Sequence, residues 1–393
     1  MTAPASVLVV GSSAAGLTTA EALRRKGYRG KLTVLGAEKH LPYDRPPLSK
    51  QVLSGKWEPE RTQLRPEAQL TSLDIEFVLG DPAAGLDVGE RTVRTASGRE
   101  LAAEAVVVAT GVRPRALPGQ DQLAGVHVLR TLDDAIALRD ELLGASRLVV
   151  VGDGVLGAEI AATARGLGPE VTMVGPQQAP MAGQLGPQIA GFLAELHVEN
   201  GVQLRLGTGV EELVGRDGEV TGVRLADGEE LSADVVVVAV GAEPATDWLA
   251  DSGLQVDDGV VCDSRCRAAD GVFAVGDVAR WHHEQLGVLV RLENRTNATE
   301  QANAVADNLL GADRSYTPVP YFWTDQFTTK IQVHGTLAAD ADVAVVEGDP
   351  ADRRFVALYR REGRVTGVLG WNMPKQARLL RQEIHWLPNS AQR

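Results

Sequence analysis

Two glycine-rich segments have the spacing of motifs that bind the pyrophosphate of a dinucleotide. The residues concerned are Gly11, Ser13, Ala14, Ala15 and Gly16 in the first, and Gly152, Gly154, Val155, Leu156 and Gly157 in the second. In such motifs the first glycine forms a tight turn, the second lets the backbone approach the phosphates, and the third lets a helix pack closely on a strand. The helix then presents free N–H groups and its positive dipole end to the anion. The second motif is complete, whereas the first has serine in the middle, a small residue that we expect the site to tolerate.

A carboxylate after the next strand usually accepts hydrogen bonds from the ribose of such a dinucleotide. Glu38 follows the apolar segment 32–35 and fits this role, with a solvated turn glutamate as the alternative. In the second unit the corresponding strand, 171–174, is followed by Gly175 and Pro176. This position lacks the acid that favours NAD, and no Arg or Lys follows to hold the 2′-phosphate of NADP. The sequence leaves the choice between NADH and NADPH open.

A third candidate is Asp277, which follows a short apolar strand and Gly276 in the segment VFAVGDVARW. A carboxylate in this place can accept hydrogen bonds from a polyhydroxyl chain such as ribityl. It can equally cap the N-terminus of a helix, and the two roles are compatible.

The elements that position these residues occur in two copies. Each copy has a β-branched strand, a glycine turn, a helix with one apolar face, and later a hairpin leading into a buried valine strand that ends near a glycine. The hairpin turns are predicted at Ser97-Gly98 and Asp227-Gly228. In the first helix, Leu17, Ala20 and Leu23 share the apolar face. The two copies predict an α/β protein with two Rossmann-like dinucleotide-binding domains.

The pattern changes beyond about residue 315. Segments such as FVALYR and VTGVLGW alternate between apolar and other residues, and a helical segment follows near 375–384. Such alternation predicts an antiparallel sheet with one covered face, and therefore a smaller C-terminal α+β domain.

Composition narrows the class of protein. The chain has 393 residues, of which 44% are hydrophobic and 23% charged, as in a globular protein of two or three domains. Its formal net charge of -13 argues against nucleic-acid binding, which depends on clustered Lys and Arg. The apolar runs are too short to cross a membrane, and the N-terminus lacks a signal-peptide pattern. The two cysteines, Cys262 and Cys266, are interpreted as isolated thiols, so we expect a cytoplasmic protein without a metal site.

The segment LPYDRPPLSK at residues 41–50, together with VVATG, FAVGD and YFWTDQF, resembles the ferredoxin reductases of bacterial oxygenase systems. This family includes putidaredoxin reductase, rubredoxin reductase and the reductase components of aromatic dioxygenases. The resemblance covers essentially the whole chain and implies a glutathione reductase-like flavoprotein fold. On that pattern residues 1–111 and 240–315 bind FAD, residues 112–239 bind NAD(P)H, and residues 316–393 form the C-terminal domain.

The resemblance also implies roles for individual residues. Lys50 and Glu159 would pair when the nicotinamide docks, and would act in catalysis by tuning and positioning rather than by reacting. Asp277 would bind the ribityl chain, and Trp323 would lie against the cofactor site from the third domain. The adenosine half of FAD would be contacted by Ala15, Glu38 and Ala83. The other implied cofactor contacts are Arg45, Ala109, Thr110, Gly111, Arg130, Gly241 and Gly276.

Arg295 is a departure from the family pattern. It stands where many relatives have Trp or another apolar residue beside the flavin pyrimidine. A cation there would favour the anionic reduced flavin and raise its potential.

The implied reaction passes electrons from NADH or NADPH through FAD to a small [2Fe-2S] ferredoxin that serves a haem monooxygenase or a ring-hydroxylating dioxygenase. Arg65 and Arg291 are candidate docking residues for that ferredoxin, and the protein is expected to be a monomer or a weak homodimer. An NADH oxidase and a non-catalytic redox-sensing flavoprotein are the alternatives. A flavin disulfide reductase is disfavoured because residues 38–55 contain no cysteine.

Overall fold

The repeat in the sequence corresponds to two mainly parallel sheets in the computed structural model, which describes residues 3–337 and 340–385. The strands of the first sheet are β1 (Ser6–Val10), β2 (Lys31–Gly36), β3 (Glu76–Leu79), β7 (Ala105–Val108), β19 (Arg267–Ala269) and β20 (Val272–Ala274). Those of the second are β9 (Val126–His127), β10 (Arg147–Val151), β11 (Glu170–Gly175), β12 (Val202–Leu206) and β16 (Val235–Val238). Strands β7, β1, β2 and β3 lie side by side in this order, and β16, β10, β11 and β12 repeat the arrangement. The predicted pair of dinucleotide-binding folds is confirmed.

Eight α-helices occur in the part of the chain that the structure describes. They are α1 (Ala14–Arg25), α2 (Glu67–Ser72), α3 (Leu132–Leu142), α4 (Val155–Arg165), α5 (Ala182–Leu185), α6 (Pro187–Glu199), α7 (Arg295–Leu309) and α8 (Pro374–Leu380). Two of them, α1 and α4, begin within the glycine motifs. Helix α1 follows β1 and buries Leu17, Ala20 and Leu23, the apolar face predicted from their spacing. Helix α4 follows β10 in the same way.

Small antiparallel sheets complete each unit. One contains β4 (Ala83–Asp87), β5 (Thr92–Thr95) and β6 (Glu100–Ala102), and its counterpart contains β13 (Val210–Arg216), β14 (Glu219–Leu225) and β15 (Glu230–Ser232). A third small sheet is mixed and contains β18 (Val260–Cys262), β21 (Ala279–His283) and β22 (Val288–Val290), with β18 parallel and β22 antiparallel to β21. The two links between the large sheets, β8 (Val112–Pro114) and β17 (Ala242–Pro244), pair with each other. Both hairpin turns fall where predicted, since Gly98 and Gly228 have φ of 85° and 90°.

The C-terminal part is a five-stranded antiparallel sheet. Its strands are β23 (Tyr321–Gln326), β24 (Thr329–Gly335), β25 (Asp342–Asp349), β26 (Arg354–Arg361) and β27 (Arg364–Trp371), in the order β23-β24-β27-β26-β25. The expectation of one covered face is wrong, because β26 and β27 are buried on both faces. On one face Phe355 and Trp371 join the core of the second dinucleotide-binding unit, and on the other Val356 packs with Ala377 of α8.

The two cysteines are both buried and unpaired. Burial raises the pKa of the Cys266 thiol to about 12, so it is not a reactive thiolate at neutral pH. No helix within the described ranges is long and apolar enough to cross a membrane.

The packing around Phe355 predicts a large loss of stability on truncation. Its fully buried ring lies 5.9 Å from the ring of Phe192 on α6 and stacks on Trp371 at 5.5 Å, measured between centroids. Phe355→Ala should therefore lower the free energy of unfolding by about 3–5 kcal/mol. Val346→Ala removes a side chain that is 45% exposed and should change it by less than about 0.5 kcal/mol. Calorimetric melting of both variants checks this, and equal melting temperatures would contradict the packing argument.

Candidate dinucleotide and electron-transfer site

A different steric requirement explains glycine at each of the three glycine positions of the second motif. Gly152 has φ of 127°, and a Cβ there would lie 2.1 Å from the carbonyl oxygen of Ala239. A Cβ on Gly157 would lie 2.0 Å from the carbonyl oxygen of Gly152, so this glycine permits the close approach of α4 to the turn. A Cβ on Gly154 would meet no atom within 4 Å. The open space at Gly154, at the start of α4, is the kind of backbone cradle that a pyrophosphate requires.

The first motif repeats this geometry with one change. Gly11 has φ of 122°, and a Cβ there would lie 2.1 Å from the carbonyl oxygen of Ala109. A Cβ on Gly16 would lie 1.8 Å from the carbonyl oxygen of Gly11. Ser13 precedes α1, and its side chain makes no capping hydrogen bond to the helix. The first-turn N–H groups of α1 are therefore not occupied by their own cap.

Two adjoining cavities run between the motifs. The larger has a volume of about 1130 Å³ and the smaller about 300 Å³, and both are lined by Ser13, Arg45, Ala109 and Thr110. The predicted residues that line the larger cavity are Ser13, Ala14, Ala15, Arg45, Lys50, Ala109, Thr110, Gly111, Arg130, Gly152, Gly154, Val155, Leu156, Glu159, Gly241, Asp277, Arg295 and Trp323. Those that line the smaller are Gly11, Ser13, Glu38, Arg45, Ala83, Ala109 and Thr110. The structure thus brings the two glycine motifs to one continuous space.

Three predicted residues line neither cavity. Gly16 and Gly157 permit the close helix packing described above. Gly276 has φ of 74°, and a Cβ there would lie 3.0 Å from the Cβ of Ala15. These glycines shape the site through the backbone and do not form its wall.

Glu38 lies at the wall of the smaller cavity and is held by two neighbours. Arg45 donates a hydrogen bond to its carboxylate at 2.7 Å, and the Tyr43 hydroxyl donates to its other oxygen. Burial raises the pKa of Tyr43, so the phenol remains protonated and can donate. Arg45 also donates to the backbone carbonyl of Arg130, which ties the two cavities together at their junction.

Asp277 and Arg130 lie next to each other on the wall of the larger cavity. The guanidinium nitrogen of Arg130 lies 3.8 Å from a carboxylate oxygen of Asp277. Burial lowers the pKa of Arg130 to about 10, and the nearby Arg45 cation acts in the same direction, so Arg130 is still charged at neutral pH. Burial raises the pKa of Asp277, and the Arg130 cation opposes that shift. The pair places the Arg130 cation and the Asp277 carboxyl group side by side at the cavity wall.

Lys50 and Glu159 already form an ion pair in the described structure. The Lys50 Nζ lies 2.6 Å from the Glu159 Oε2, and their side chains are 12% and 7% exposed. The Ser49 hydroxyl donates to the same oxygen at 2.6 Å. Lys50 belongs to a helical turn at Leu48–Val52, and Glu159 to α4, so the pair joins two distant parts of the chain.

A chain of hydrogen bonds extends from Glu159 into the C-terminal sheet. The Thr324 hydroxyl donates to Glu159 Oε1 at 2.8 Å, and Gln326 Nε2 donates to Thr324 Oγ1 at 3.0 Å. His197 Nε2 lies 2.7 Å from Gln326 Oε1, which can only accept. Burial lowers the pKa of His197 to about 4, so the ring is neutral and donates. Every bond in this chain therefore points toward the Glu159 carboxylate.

Sequence reasoning missed Ser49, Thr324, Gln326 and His197 as site residues. The signal available was the alternation of polar residues in YFWTDQF, which places Thr324 and Gln326 on one side of β23. Trp323 lies between Phe322 and Thr324 on the same strand and lines the cavity, as Phe322 does.

Arg295 lies in the larger cavity, but it is not a free cation. Its Nε donates to a carboxylate oxygen of Asp44, a residue of the PYDRPP segment. The sequence predicted that an isolated Arg295 cation would raise the flavin potential. This prediction needs correction, because the Asp44 carboxylate compensates the Arg295 charge locally.

The docking residues predicted for an acidic ferredoxin are also ion-paired. Arg291 has a side chain only 12% exposed, and it lies 3.0 Å from Asp258 and 2.5 Å from Glu293. Arg65 lies 2.6 Å from Glu21. The prediction of Arg291 as a docking residue is wrong, because this guanidinium lines the cavity and is held by its own acids.

Family comparisons agree with the geometry of the two motifs. Residues 5–302 match the family described as pyridine nucleotide-disulphide oxidoreductase, and residues 321–386 match the reductase C-terminal domain. The family is FAD-dependent. The first match covers both glycine motifs and Asp277, and the second begins at the first residue of β23.

Relatives align over nearly the whole chain. Rhodocoxin reductase of Rhodococcus erythropolis is 36% identical, over 98% of this chain and 92% of its own. The benzene 1,2-dioxygenase system ferredoxin–NAD(+) reductase subunit of Pseudomonas putida is 38% identical, over 94% of this chain and 90% of its own. The reductase in a covalent putidaredoxin reductase–putidaredoxin complex superposes with a TM-score of 0.92 at 32% identity, over 98% of this chain and 94% of that one. The chain therefore belongs to the pyridine nucleotide-disulphide oxidoreductase family, within its group of ferredoxin reductases.

Proposed function

We propose that this protein is an FAD-dependent reductase that passes electrons from NAD(P)H to a [2Fe-2S] ferredoxin serving a bacterial oxygenase. The observation that carries the proposal is the shared cavity, into which two dinucleotide motifs open with the Lys50–Glu159 pair between them. The names and extent of the aligned relatives support it. The chemistry that FAD supplies when bound is the coupling of a two-electron donor to one-electron acceptors.

The residues of the first unit fit FAD. The open start of α1 at Ser13 suits its pyrophosphate, and Glu38, at the wall of the smaller cavity, retains lone pairs for ribose hydroxyls. Asp277 lines the larger cavity and can accept hydrogen bonds from the ribityl hydroxyls, with Arg130 beside it. The matching start of α4 at Gly154 suits the nicotinamide nucleotide.

Lys50 and Glu159 are proposed to position the reactants. Three donors fix the Glu159 carboxylate, so it holds the Lys50 ammonium in one orientation on the cavity wall. Passing electrons from the nicotinamide to the flavin requires the two rings to be correctly oriented and requires no acid or base from the protein. Lys50 and Glu159 are therefore proposed to orient the reactants without reacting themselves. Trp323 lines the same cavity from the C-terminal sheet, and its ring is proposed to exclude water from the reactants.

The [2Fe-2S] partner, a cytoplasmic location and a monomeric or weakly dimeric state complete the proposal. Two free, buried cysteines agree with a reducing compartment. The aligned structure that contains putidaredoxin supports a small electron-carrier protein as partner.

Stopped-flow spectroscopy tests the proposed reaction directly. The purified flavoprotein is mixed anaerobically with NADH, and its reoxidation by putidaredoxin is compared with its reoxidation by air. We expect nicotinamide to bleach the flavin absorbance and putidaredoxin to restore it faster than oxygen does. Faster reoxidation by oxygen would indicate an oxidase, and no bleaching would indicate a non-catalytic role.

Removing the Thr324 hydroxyl should slow reduction by the nicotinamide. Thr324→Val keeps the shape but takes one donor from the buried Glu159 carboxylate, and we expect the rate to fall about ten-fold. Glu159→Gln should cost more, because it leaves the Lys50 ammonium without its counter-ion. The control is Thr366→Val on β27, whose hydroxyl donates to the Tyr359 carbonyl and not to Glu159. Equal rates for the Thr324 and Thr366 variants would contradict the positioning role.

The Asp44–Arg295 pair predicts opposite shifts of the flavin potential. Asp44→Asn leaves the Arg295 cation uncompensated and should raise the midpoint potential, whereas Arg295→Gln should lower it. A change of about 1.4 kcal/mol in charge stabilisation corresponds to about 30 mV for a two-electron couple. Spectroelectrochemical titration measures both, with Asp307→Asn, which breaks the Lys26–Asp307 pair remote from the cavity lining, as control. Shifts of the same sign in the two variants would refute the pairing argument.

A further inference from the structure

The nicotinamide unit lacks an acid at the end of its second strand, yet a carboxylate occupies that place. Strand β11 ends at Gly175, and a Cβ built on this glycine would lie 2.2 Å from Oδ2 of Asp153 and 2.3 Å from its Cγ. Asp153 is the residue between the first two glycines of the motif. Its carboxylate therefore fills the space into which a side chain at position 175 would project.

The Asp153 carboxylate is held in a fixed orientation. The backbone N–H of Gln177 donates to its Oδ2 at 2.8 Å, and the Gln177 side-chain amide donates to its Oδ1 at 2.7 Å. The backbone N–H of Met181 donates to the Asp153 carbonyl at 2.7 Å. Asp153 is only 4% exposed, but it lines the larger cavity. Each oxygen of an ionised carboxylate can accept more than one hydrogen bond, so both retain capacity for a ligand hydroxyl.

The charges around this part of the cavity favour hydroxyls over a phosphate. Among the described residues that line the larger cavity, the cations are Arg45, Lys50, Arg130, Arg291 and Arg295. Each of these five cations is paired with a carboxylate of another residue. The lining residues that adjoin Asp153 in the chain or at the end of β11 are Gly152, Gly154, Gly175, Pro176 and Gln177, and none is basic. A 2′-phosphate there would face a carboxylate without a counter-cation, whereas a 2′-hydroxyl could donate to it.

We propose that Asp153 determines nucleotide specificity, by accepting hydrogen bonds from the adenosine ribose in place of the missing strand-end acid, and that the site therefore selects NADH over NADPH. This inference rests on the proposed function, since it assigns a residue to the nicotinamide site of that reaction. The position of Asp153 also explains why residue 175 is glycine, because any larger side chain there would collide with the Asp153 carboxylate.

The test uses Asp153→Asn in the flavin-loaded protein, with two readouts. The first is the ratio of kcat/KM for flavin reduction by NADH to that by NADPH. The second is calorimetric binding of ADP-ribose against 2′-phospho-ADP-ribose, which requires no turnover. The wild type should prefer NADH and ADP-ribose, and the variant should lose at least about ten-fold of each preference. The matched control is Asp234→Asn. The Asp234 carboxylate accepts hydrogen bonds from the backbone N–H groups of Ser146 and Arg147, and Asp234 does not line the cavity.

A double variant separates specificity from folding. Asp153→Gly combined with Gly175→Asp moves the carboxylate back to the strand end and should restore the NADH preference, while Gly175→Asp alone should be poorly folded. Unchanged ratios in Asp153→Asn, or a well-folded double variant as unselective as Asp153→Asn, would overturn the inference. If neither nucleotide reduces the wild type but ADP-ribose selectivity depends on Asp153, the proposed reductase function fails and the specificity role stands.

Discussion

One buried carboxylate contacts all three parts of this chain, namely the two dinucleotide-binding units and the C-terminal sheet. Glu159 is nearly inaccessible to water, and an uncompensated charge in such a place costs several kcal/mol. Its compensation comes from Lys50 and Ser49 on one side and from Thr324 on the other. The first two belong to the segment after β2, and the third belongs to the C-terminal sheet. The ion pair is satisfied only when all three parts are in place together.

The position of Glu159 also links charge to nucleotide binding. Helix α4 begins at Val155, directly after the open backbone at Gly154, and Glu159 follows one turn later, about 6 Å along the axis. A rigid helix therefore carries the phosphate cradle at its tip and the carboxylate in its next turn. A small rotation of α4 would disturb both, which explains why the carboxylate is anchored through β23 as far as His197.

The sequence was informative wherever one local pattern decided the outcome. The glycine motifs, the paired hairpins and the face of α1 were predictable because each depends on spacing within a single element. What escaped was contact between distant elements: Thr324 reaches Glu159 across 165 positions, and Arg295 reaches Asp44 across 251. The second covered face of the C-terminal sheet was missed because strand alternation does not reveal that α8 packs on it. The domain limits and the roles of single site residues are still predictions.

The reciprocal fit of Asp153 and Gly175 constrains how such a site can change over evolutionary time. A carboxylate can stand at either position but not at both, because the two side chains would share the same space. A lineage that moves the acid from one position to the other must therefore pass through a form with glycine or another small residue at both. That intermediate has no acid at this point of the cavity and holds both nucleotides less selectively. The two positions are thus epistatic, and an alignment that scores each column separately would misread a relocated acid as a lost one.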